Sequence, residues 1–154
     1  MIRALLACAV AFGLTAAAVA QQSNPAGAVA QGDPIAARKA MMKENGAATA
    51  LGAKYVKGEE PFDLAKARGI LDIYARTAAN APNDFPPDSK TGGQTTAAPA
   101  IWEKMDDFKA RFVAWGADIE KAKADVKDLD SFKAAFPILT RSCGGCHQNY
   151  RQRT

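Results

Sequence analysis

Histidine and cysteine are scarce in this sequence, and the shortage limits the sites that it can form. The chain has 154 residues, with one histidine, His147, and three cysteines. A site that needs two imidazoles from one chain is therefore excluded. No segment alternates apolar and polar residues as a half-buried β-strand does, so a sheet fold is not expected. Lysine and arginine total 20 against 16 acidic residues and form no basic tract, which gives no support for nucleic-acid binding.

The first 20 residues have the features of a secretory signal peptide. Met1-Ile2-Arg3 is a short positive start, residues 4–14 are apolar, and Ala18-Val19-Ala20 matches the small-residue cleavage site. We expect residues 1–20 to be cleaved on export, which predicts a periplasmic protein.

Two other interpretations of this segment carry less support. The run is rich in alanine and short for a membrane span, so no stable membrane anchor is expected. Leu5-Leu6-Ala7-Cys8 loosely resembles a lipoprotein cleavage box, but the apolar region continues past it. The remaining chain is expected to comprise a flexible N-terminal segment, residues 21–32, and one domain, residues 33–154.

Cleavage of the signal leaves two cysteines in the mature chain. Cys8 is lost with the signal, and Cys143 and Cys146 remain, separated by two residues. In an oxidising compartment an unprotected pair of thiols tends to oxidise. A specific partner is therefore expected to occupy these two thiols.

Helical periodicity recurs four times along the chain. The first helix is predicted at Pro34–Lys57, and the second begins after Asp63. Residues 80–98 are rich in Pro, Gly, Ser, Thr, Asn and Asp, and we expect them to form a long connection. A third helix is predicted at roughly Pro99–Val126, and a fourth from Asp130-Ser131 almost to the end. Four amphipathic helices predict an all-α fold, an antiparallel four-helix bundle.

The inner faces of these helices are predicted from apolar side chains spaced three and four residues apart. Asp33 is expected to cap the first helix, and Pro137 is expected to bend the fourth helix or delay its regular start. The predicted inner face of the first helix consists of Ile35, Arg38, Met42, Gly46, Thr49, Ala53 and Val56, and that of the fourth of Phe132, Phe136, Leu139, Cys143, Cys146 and Tyr150.

The segment Cys143-Gly144-Gly145-Cys146-His147 has the C-x-x-C-H pattern of a c-type haem attachment site. Each thiol adds to one haem vinyl group, and the adjacent imidazole coordinates the iron from the same side. On a helix, positions i, i+3 and i+4 share one face, so all three groups reach a single ligand. The sequence therefore predicts one covalently bound haem c near the C-terminus of the last helix, with His147 as an iron ligand.

Three alternatives explain this segment less well. A zinc site needs four ligands, so a carboxylate would have to complete the set of Cys143, Cys146 and His147. A thioredoxin-like redox pair would accompany a βαβ pattern, which the sequence lacks. A structural disulfide explains the two cysteines but leaves the neighbouring histidine unexplained.

The second iron ligand is sought among the three methionines beyond the signal, because the chain has no second histidine. Met105 lies in the middle of a hydrophobic helix face, where a methionine is core filler. Met41 and Met42 are neighbours on the first helix, and periodicity alone barely separates them. Met42 shares its helix face with Gly46, whose missing side chain would make room for a flat ring. A methionine ligand would raise the reduction potential.

At this point the chain resembles the class II cytochromes c, the family of cytochrome c′ and its low-spin relatives. The resemblance covers essentially the whole mature chain. It rests on Cys143-x-x-Cys146-His147-x-x-Tyr150-Arg151, on Arg38-x-x-x-Met42, on Lys57-Gly58-x-x-Pro61-Phe62-Asp63 and on Pro99-x-Ile101-Trp102.

The resemblance implies roles for three residues. Met42, four residues after Arg38, faces the iron. A ligating methionine at this position is typical of the low-spin branch, whereas cytochrome c′ itself often has an apolar residue there and a five-coordinate iron. Arg38 lies near a haem propionate, and Arg151 lies near the exposed edge of His147. A homodimer through the first two helices is a family-level expectation.

These features predict a one-electron carrier with His147/Met42 ligation that serves redox partner proteins of unknown identity. The alternative is a five-coordinate binder of nitric oxide or carbon monoxide. An enzyme such as a haem peroxidase is not expected, because it needs distal acid–base groups, typically a histidine with an arginine. The only histidine of this chain is taken as the proximal ligand.

Overall fold

The computed structural model of the protein describes residues 32–153. Within this part the chain forms helices and no strand; an isolated antiparallel bridge joins Ala97 to Arg151. The helices are α1 (Pro34–Lys57), α2 (Leu64–Asn80), α3 (Ala100–Glu103), α4 (Met105–Asp125) and α5 (Leu129–Tyr150).

The four long helices pack in a closed ring, in which α2 contacts α1 and α4, and α5 contacts α4 and α1. This arrangement confirms the predicted all-α four-helix bundle. The predicted signal peptide, and all of the flexible segment 21–32 except Gly32, lie outside the described residues. No helix in residues 32–153 is both long and apolar enough to cross a membrane.

Both ends of α1 lie where local chemistry predicts them. The Asp33 carboxylate accepts a hydrogen bond from the Ile35 amide at 2.9 Å, and Pro34 occupies the first helical position. At the other end Gly58 adopts φ 73°, a left-handed conformation that glycine reaches without strain, and it closes the last turn. The bounds Pro34–Lys57 are therefore confirmed.

The last helix begins slightly earlier than predicted, because its cap is Asp128. The Asp128 carboxylate accepts from the Ser131 amide at 2.8 Å, and the Ser131 hydroxyl accepts from the Asp128 amide at 3.1 Å. This reciprocal pair is a capping box, and it starts α5 at Leu129. Pro137 lies well inside the continuous helix on its exposed side, so the expected delay of the helix start is wrong.

The third predicted helix is divided in two at Lys104. This residue has φ −130° and ψ 46°, so the expectation of one continuous helix at Pro99–Val126 is wrong there. In the short helix α3, Ile101 is buried, and the Trp102 indole donates a hydrogen bond to the Phe85 carbonyl at 3.0 Å. The change of direction lets this helix pack onto the preceding connection. Such a tertiary contact leaves no trace in local periodicity.

The inner face predicted for α1 is wrong beyond Arg38. Alanines occur on every side of this helix, so the spacing of apolar residues does not single out one face as the buried one. Tertiary partners decide the face: Tyr55 packs edge-on against Phe62 and Phe132. Gly46 is exposed, and Thr49, Ala53 and Val56 are half-buried. The buried residues of α1 are Ile35, Arg38, Ala48, Gly52 and Tyr55.

Candidate haem-binding site

The C-x-x-C-H segment lies in the last turns of α5. Cys143 and Cys146 are free thiols, and both are half-buried and packed against the hydrophobic core. Cys143 Sγ lies 3.7 Å from the Leu139 carbonyl of the preceding turn. His147, the next residue after Cys146, is exposed. The helix thus brings two thiols and one imidazole together at positions i, i+3 and i+4.

Burial and one neighbouring charge set the protonation of these groups. Burial raises the pKa of the Cys143 and Cys146 thiols, so both are protonated at neutral pH. Although the His147 residue is exposed as a whole, partial desolvation of its imidazole lowers the pKa, and the positive charge of Arg151 lowers it further. The imidazole is therefore held in its neutral form, which is the form that binds a metal.

The two glycines of the motif are not required by packing against other protein atoms. A β-carbon built at Gly144 or Gly145 meets no neighbouring atom within 4 Å. At Gly52, in contrast, a β-carbon would run into the ring of Phe136. Positions 144 and 145 therefore face open space, and the missing side chains relieve no clash within the described part of the chain.

The alternatives to a haem find no support in the described residues. Cys143 and Cys146 are not joined in a disulfide. Within residues 32–153, no three His, Cys, Asp or Glu side chains are grouped so that they could hold a metal ion among themselves. A zinc site built from these side chains is therefore not supported.

Met42 lies on α1 at the level of the haem-attachment motif. Helices α1 and α5 run antiparallel here, because Gly52 meets Phe136 while Tyr55, further along α1, meets Phe132, earlier in α5. Ten residues back along α1 from Gly52 is Met42, and ten residues forward along α5 from Phe136 is Cys146. At 1.5 Å per residue, both lie about 15 Å from the Gly52 contact.

The two neighbouring methionines differ in their packing. Met41 is half-buried and packs against the hydrophobic core, whereas Met42 is 37% exposed. Met41 therefore belongs to the surroundings of the core, whereas Met42 is the more exposed of the two. This difference adds to the sequence pattern, which barely separated the two residues.

Arg38 is buried, and it is only 5% exposed. Its Nη1 donates to the Asp84 carbonyl at 3.0 Å and to Ser89 Oγ at 2.9 Å, and its Nη2 donates to the Ser89 carbonyl and Thr95 Oγ1, both at 2.8 Å. Its guanidinium carbon lies 4.8 Å from the centroid of the Phe85 ring. Desolvation lowers the pKa of Arg38, although the nearby Asp33 and Asp84 charges oppose the shift. The guanidinium still stays charged, because an arginine does not lose its proton in proteins.

Arg151 follows α5 directly and is exposed. Its amide donates to the His147 carbonyl at 3.3 Å, so it ends the turn that carries the histidine. After desolvation, its positive charge is the second cause that lowers the pKa of His147. The structure therefore brings Arg151 into the surroundings of His147.

Asp107, Arg111 and Tyr150 form a polar cluster beside Cys146. Of these three residues, the sequence pattern singles out only Tyr150. The Tyr150 hydroxyl donates a short hydrogen bond to Asp107 Oδ2, and Arg111 Nε donates to the same oxygen at 3.0 Å. The Tyr150 hydrogen bond, followed by that of Arg111, holds the pKa of Asp107 below its ordinary range. The cluster anchors the end of α5 to α4. No local pattern signals it, because residues 107 and 150 are distant in sequence.

A second buried polar group lies between α1 and α2. The Thr49 hydroxyl donates to the Asn45 carbonyl at 2.8 Å, so the Tyr74 hydroxyl donates to Thr49 Oγ1 at 2.6 Å. Asn45 Nδ2 donates to Thr77 Oγ1 at 2.8 Å, while its buried Oδ1 has no partner among the described residues. Burial raises the pKa of Tyr74 to about 12. The polar residues at 45 and 49 could have been noted in sequence, but their partners could not.

The comparison with known families identifies this arrangement. A family model described as Cytochrome C' matches residues 33–151, nearly the whole of the described chain. The chain belongs to the cytochrome c′ family. Members of this family carry covalently attached iron-containing haem c, and the thiol pair and imidazole of α5 fit that group. The class II resemblance inferred from the sequence is therefore confirmed.

Similar proteins carry two kinds of name within the family. A cytochrome c′ from Rhodopseudomonas palustris is 40% identical over 126 residues, covering 82% of this chain and 86% of that protein. A cytochrome c-556 from Agrobacterium tumefaciens is 39% identical over 115 residues, covering 74% of this chain and 93% of that protein. The low-spin c-556 branch is thus included among the homologues of this cytochrome c′ family member.

Solved structures of the cytochrome c′ family share the fold. The structure of cytochrome c′ from Rhodopseudomonas palustris matches with a TM-score of 0.77 and 39% identity, over 80% of this chain and 99% of that one. A structural model of oxidised cytochrome c556 from the same organism matches with a TM-score of 0.73 and 28% identity, over 80% and 99% of the two chains. The chain is a family haemoprotein, an electron carrier or a gas binder.

Proposed function

We propose that this protein is a periplasmic one-electron carrier with a single haem c attached at Cys143 and Cys146 and ligated by His147 and Met42. When bound, the haem supplies a ferrous/ferric couple. The chain would hold the haem through thioethers at Cys143 and Cys146. His147 and Met42, on the neighbouring helices α5 and α1, would hold the iron and exclude other ligands from it. Residues 1–20 would direct export and would then be cleaved, as the sequence predicts.

The register of α1 and α5 is the observation that carries this proposal. Met42 and Cys146 are equally far from the Gly52–Phe136 contact, on helices that run antiparallel. The part of α1 at the height of Met42 would therefore be the part nearest to a haem attached to α5. Since Met41 is taken up by the core, Met42 is the thioether that remains for the iron.

Arg38 suits the predicted propionate contact in one respect. Within residues 32–153, its hydrogen bonds to the chain use only Nη1 and Nη2. The Nε–H donor is left for a further acceptor, and a propionate would accept it and compensate the buried charge. Arg151, next to the last turn of α5, would act from the other side by keeping His147 neutral.

Gas binding is the second candidate, and the exposure of Met42 favours it. A methionine that is 37% exposed can leave the iron accessible. A variant of cytochrome c′ from Alcaligenes xylosoxidans, described as a nitric oxide complex, matches this chain with a TM-score of 0.68 and 28% identity. In this case Met42 would not bond to iron, and the protein would capture nitric oxide or carbon monoxide.

Optical spectra of the purified holoprotein distinguish the two functions. For the carrier, we expect a low-spin ferric spectrum with the weak far-red band of a methionine–iron bond, and a ferrous protein that binds carbon monoxide slowly. Met42→Leu should abolish the band, lower the reduction potential and speed carbon monoxide binding.

Met41→Leu is the matched control, because it changes the same residue type one position away. It should keep the far-red band and the potential of the wild type. A high-spin ferric wild type, with carbon monoxide binding that Met42→Leu does not change, would establish the gas binder instead.

A further inference from the structure

The connection between α2 and α3 is tied to both helices that carry the proposed iron ligands. We call residues 84–98 the strap. On the α1 side, Arg38 binds the strap through four hydrogen bonds of 2.8–3.0 Å, to Asp84, Ser89 and Thr95. Because Arg38 lies one helical turn before Met42, the strap is fixed to the proposed distal helix next to its ligand.

Two further contacts hold the strap on the first turns of α1. A β-carbon at Gly93 would lie 2.9 Å from Ile35 Cγ2, so only a glycine lets the backbone approach this closely. Lys39 Nζ also donates to the Gly93 carbonyl at 3.3 Å. The strap therefore packs on α1 as well as bonding to it.

The other end of the strap is paired with the end of α5. The Ala98 amide donates to the Tyr150 carbonyl at 3.0 Å, and the Gln152 amide donates to the Thr96 carbonyl at 2.8 Å. Tyr150 lies three residues after His147, so this pairing begins one turn beyond the proposed proximal ligand. The backbone of the strap thus bridges the helix of Met42 and the helix of His147.

We propose that the strap sets the spacing between Met42 and His147, with Arg38 as the positioning residue that fixes its α1 end. This inference rests on the proposed ligands. The direct contact of Gly52 with Phe136 lies about 15 Å away along both helices, so it cannot by itself hold the ligand-bearing ends together. The strap provides the second tie, on the far side of the motif, and thereby keeps the Met42 thioether within reach of iron.

Two variants release the strap from opposite ends. Gln152→Pro removes the amide that donates to Thr96, and Arg151 already has φ −119° and ψ 132°, which suits a residue before proline. Arg38→Lys keeps the positive charge but replaces the fork that reaches four acceptors. In both variants we expect a weaker far-red methionine–iron band. Carbon monoxide association should rise about tenfold, the factor that corresponds to roughly 1.4 kcal/mol of lost hydrogen bonding.

Each variant has a matched control. Gln152→Ala loses only the side-chain bond of Gln152 to the Ala97 carbonyl and keeps the backbone amide. Arg76→Lys changes an exposed arginine that pairs with Glu44 on the α1–α2 side. Both controls should match the wild type in the band and in the carbon monoxide rate.

Amide hydrogen exchange of Ala98 shows whether the strap has loosened, whatever the iron ligands are. Faster exchange at Ala98 together with faster carbon monoxide binding supports the inference, also in a protein whose wild type lacks the methionine–iron band. A wild type without this band would reject Met42 as an iron ligand. The role of the strap in spacing α1 from α5 would then be tested by the carbon monoxide rate alone. Faster exchange with an unchanged band and an unchanged carbon monoxide rate in both variants would overturn the inference. The inference would also be overturned if both variants kept the wild-type exchange rate at Ala98 and the wild-type rate of carbon monoxide binding.

Discussion

Gly52 of α1 lies directly under the ring of Phe136 of α5. A β-carbon at position 52 would stand 2.7 Å from Phe136 Cζ and closer still to Cε2. Phe136 itself is stacked on Phe132, with 5.2 Å between ring centroids, so it has little freedom to move away. The missing side chain at position 52 therefore sets how closely the first and last helices approach, and this approach defines the register that relates Met42 to Cys146.

Gly52→Ala should destabilise the folded protein. The added methyl group overpacks the contact with Phe136, which costs about 1–3 kcal/mol and outweighs the gain in helix propensity. The measurement is the free energy of unfolding of the holoprotein in guanidinium chloride, followed by helical circular dichroism.

Gly69→Ala is the matched control, because a β-carbon at this position of α2 meets nothing within 4 Å. It should stabilise the protein by about 0.5–1 kcal/mol through helix propensity alone. Equal effects of the two substitutions would show that Phe136 yields and that Gly52 does not set the helix spacing.

The features that the sequence predicted correctly are those encoded within a few residues. The C-x-x-C-H motif and the cap at Asp33 each depend on neighbours within about one helical turn, so their geometry follows from the chain itself. The bundle followed because four amphipathic helices have few ways to bury their apolar faces.

The features that the sequence could not predict depend on distant partners. The inner face of α1 is set by Phe136, more than 80 positions beyond Gly52, and alanines on all sides gave the pattern no contrast. Arg38 was expected at a propionate, but nothing local signals its four bonds to residues 84–95. The break at Lys104 likewise reflects the packing of Trp102 on another segment.

Tyr150→Phe should lower stability most at neutral pH. The Tyr150 hydrogen bond holds the pKa of Asp107 below its ordinary value of 3.8, so the folded state favours the carboxylate. A depressed carboxyl pKa contributes stability above that ordinary value, and the contribution is lost as the pH falls through the folded pKa. The difference between Tyr150→Phe and the wild type should therefore shrink below about pH 4.

The pH series needs Asp107→Asn as its background. With the carboxylate already removed, Tyr150→Phe should cost less than it does in the wild type, and the cost should no longer change with pH. A decrement of the same size at every pH in the wild-type background would mean that Tyr150 acts through ring packing against Phe108, which lies 5.2 Å away between centroids.

Thr49→Val should destabilise the protein more than Tyr74→Phe does, although both remove the same hydrogen bond. Thr49→Val leaves the hydroxyl of the fully buried Tyr74 without its acceptor, which costs about 1–3 kcal/mol. Tyr74→Phe takes the buried hydroxyl away as well, while Thr49 still donates to the Asn45 carbonyl, so about 0.5–1.5 kcal/mol is expected. The double variant should cost less than the two single changes together, and an additive result in denaturant unfolding would refute the coupling.

Pro137→Ala should stabilise the protein, whereas most single substitutions destabilise the protein in which they are made. Pro137 lies inside α5, where it cannot donate to the Lys133 carbonyl one turn earlier. Its exposed position lets water reach that carbonyl, so the helix continues, but at a cost in backbone bonding. Alanine restores the donor and fits the helix, and the gain should be about 1–3 kcal/mol, reduced by the greater freedom of the unfolded chain.

Pro61→Ala separates these two effects of proline. Pro61 lies in the turn between α1 and α2, outside any helix, so its replacement only frees the unfolded chain and should destabilise by about 0.4–1 kcal/mol. If Pro137→Ala instead lowers stability by the same amount, α5 has no missing bond to recover. Pro137 would then have no effect on the free energy of the folded state. A regular helix before the haem-attachment motif would not make the protein more stable.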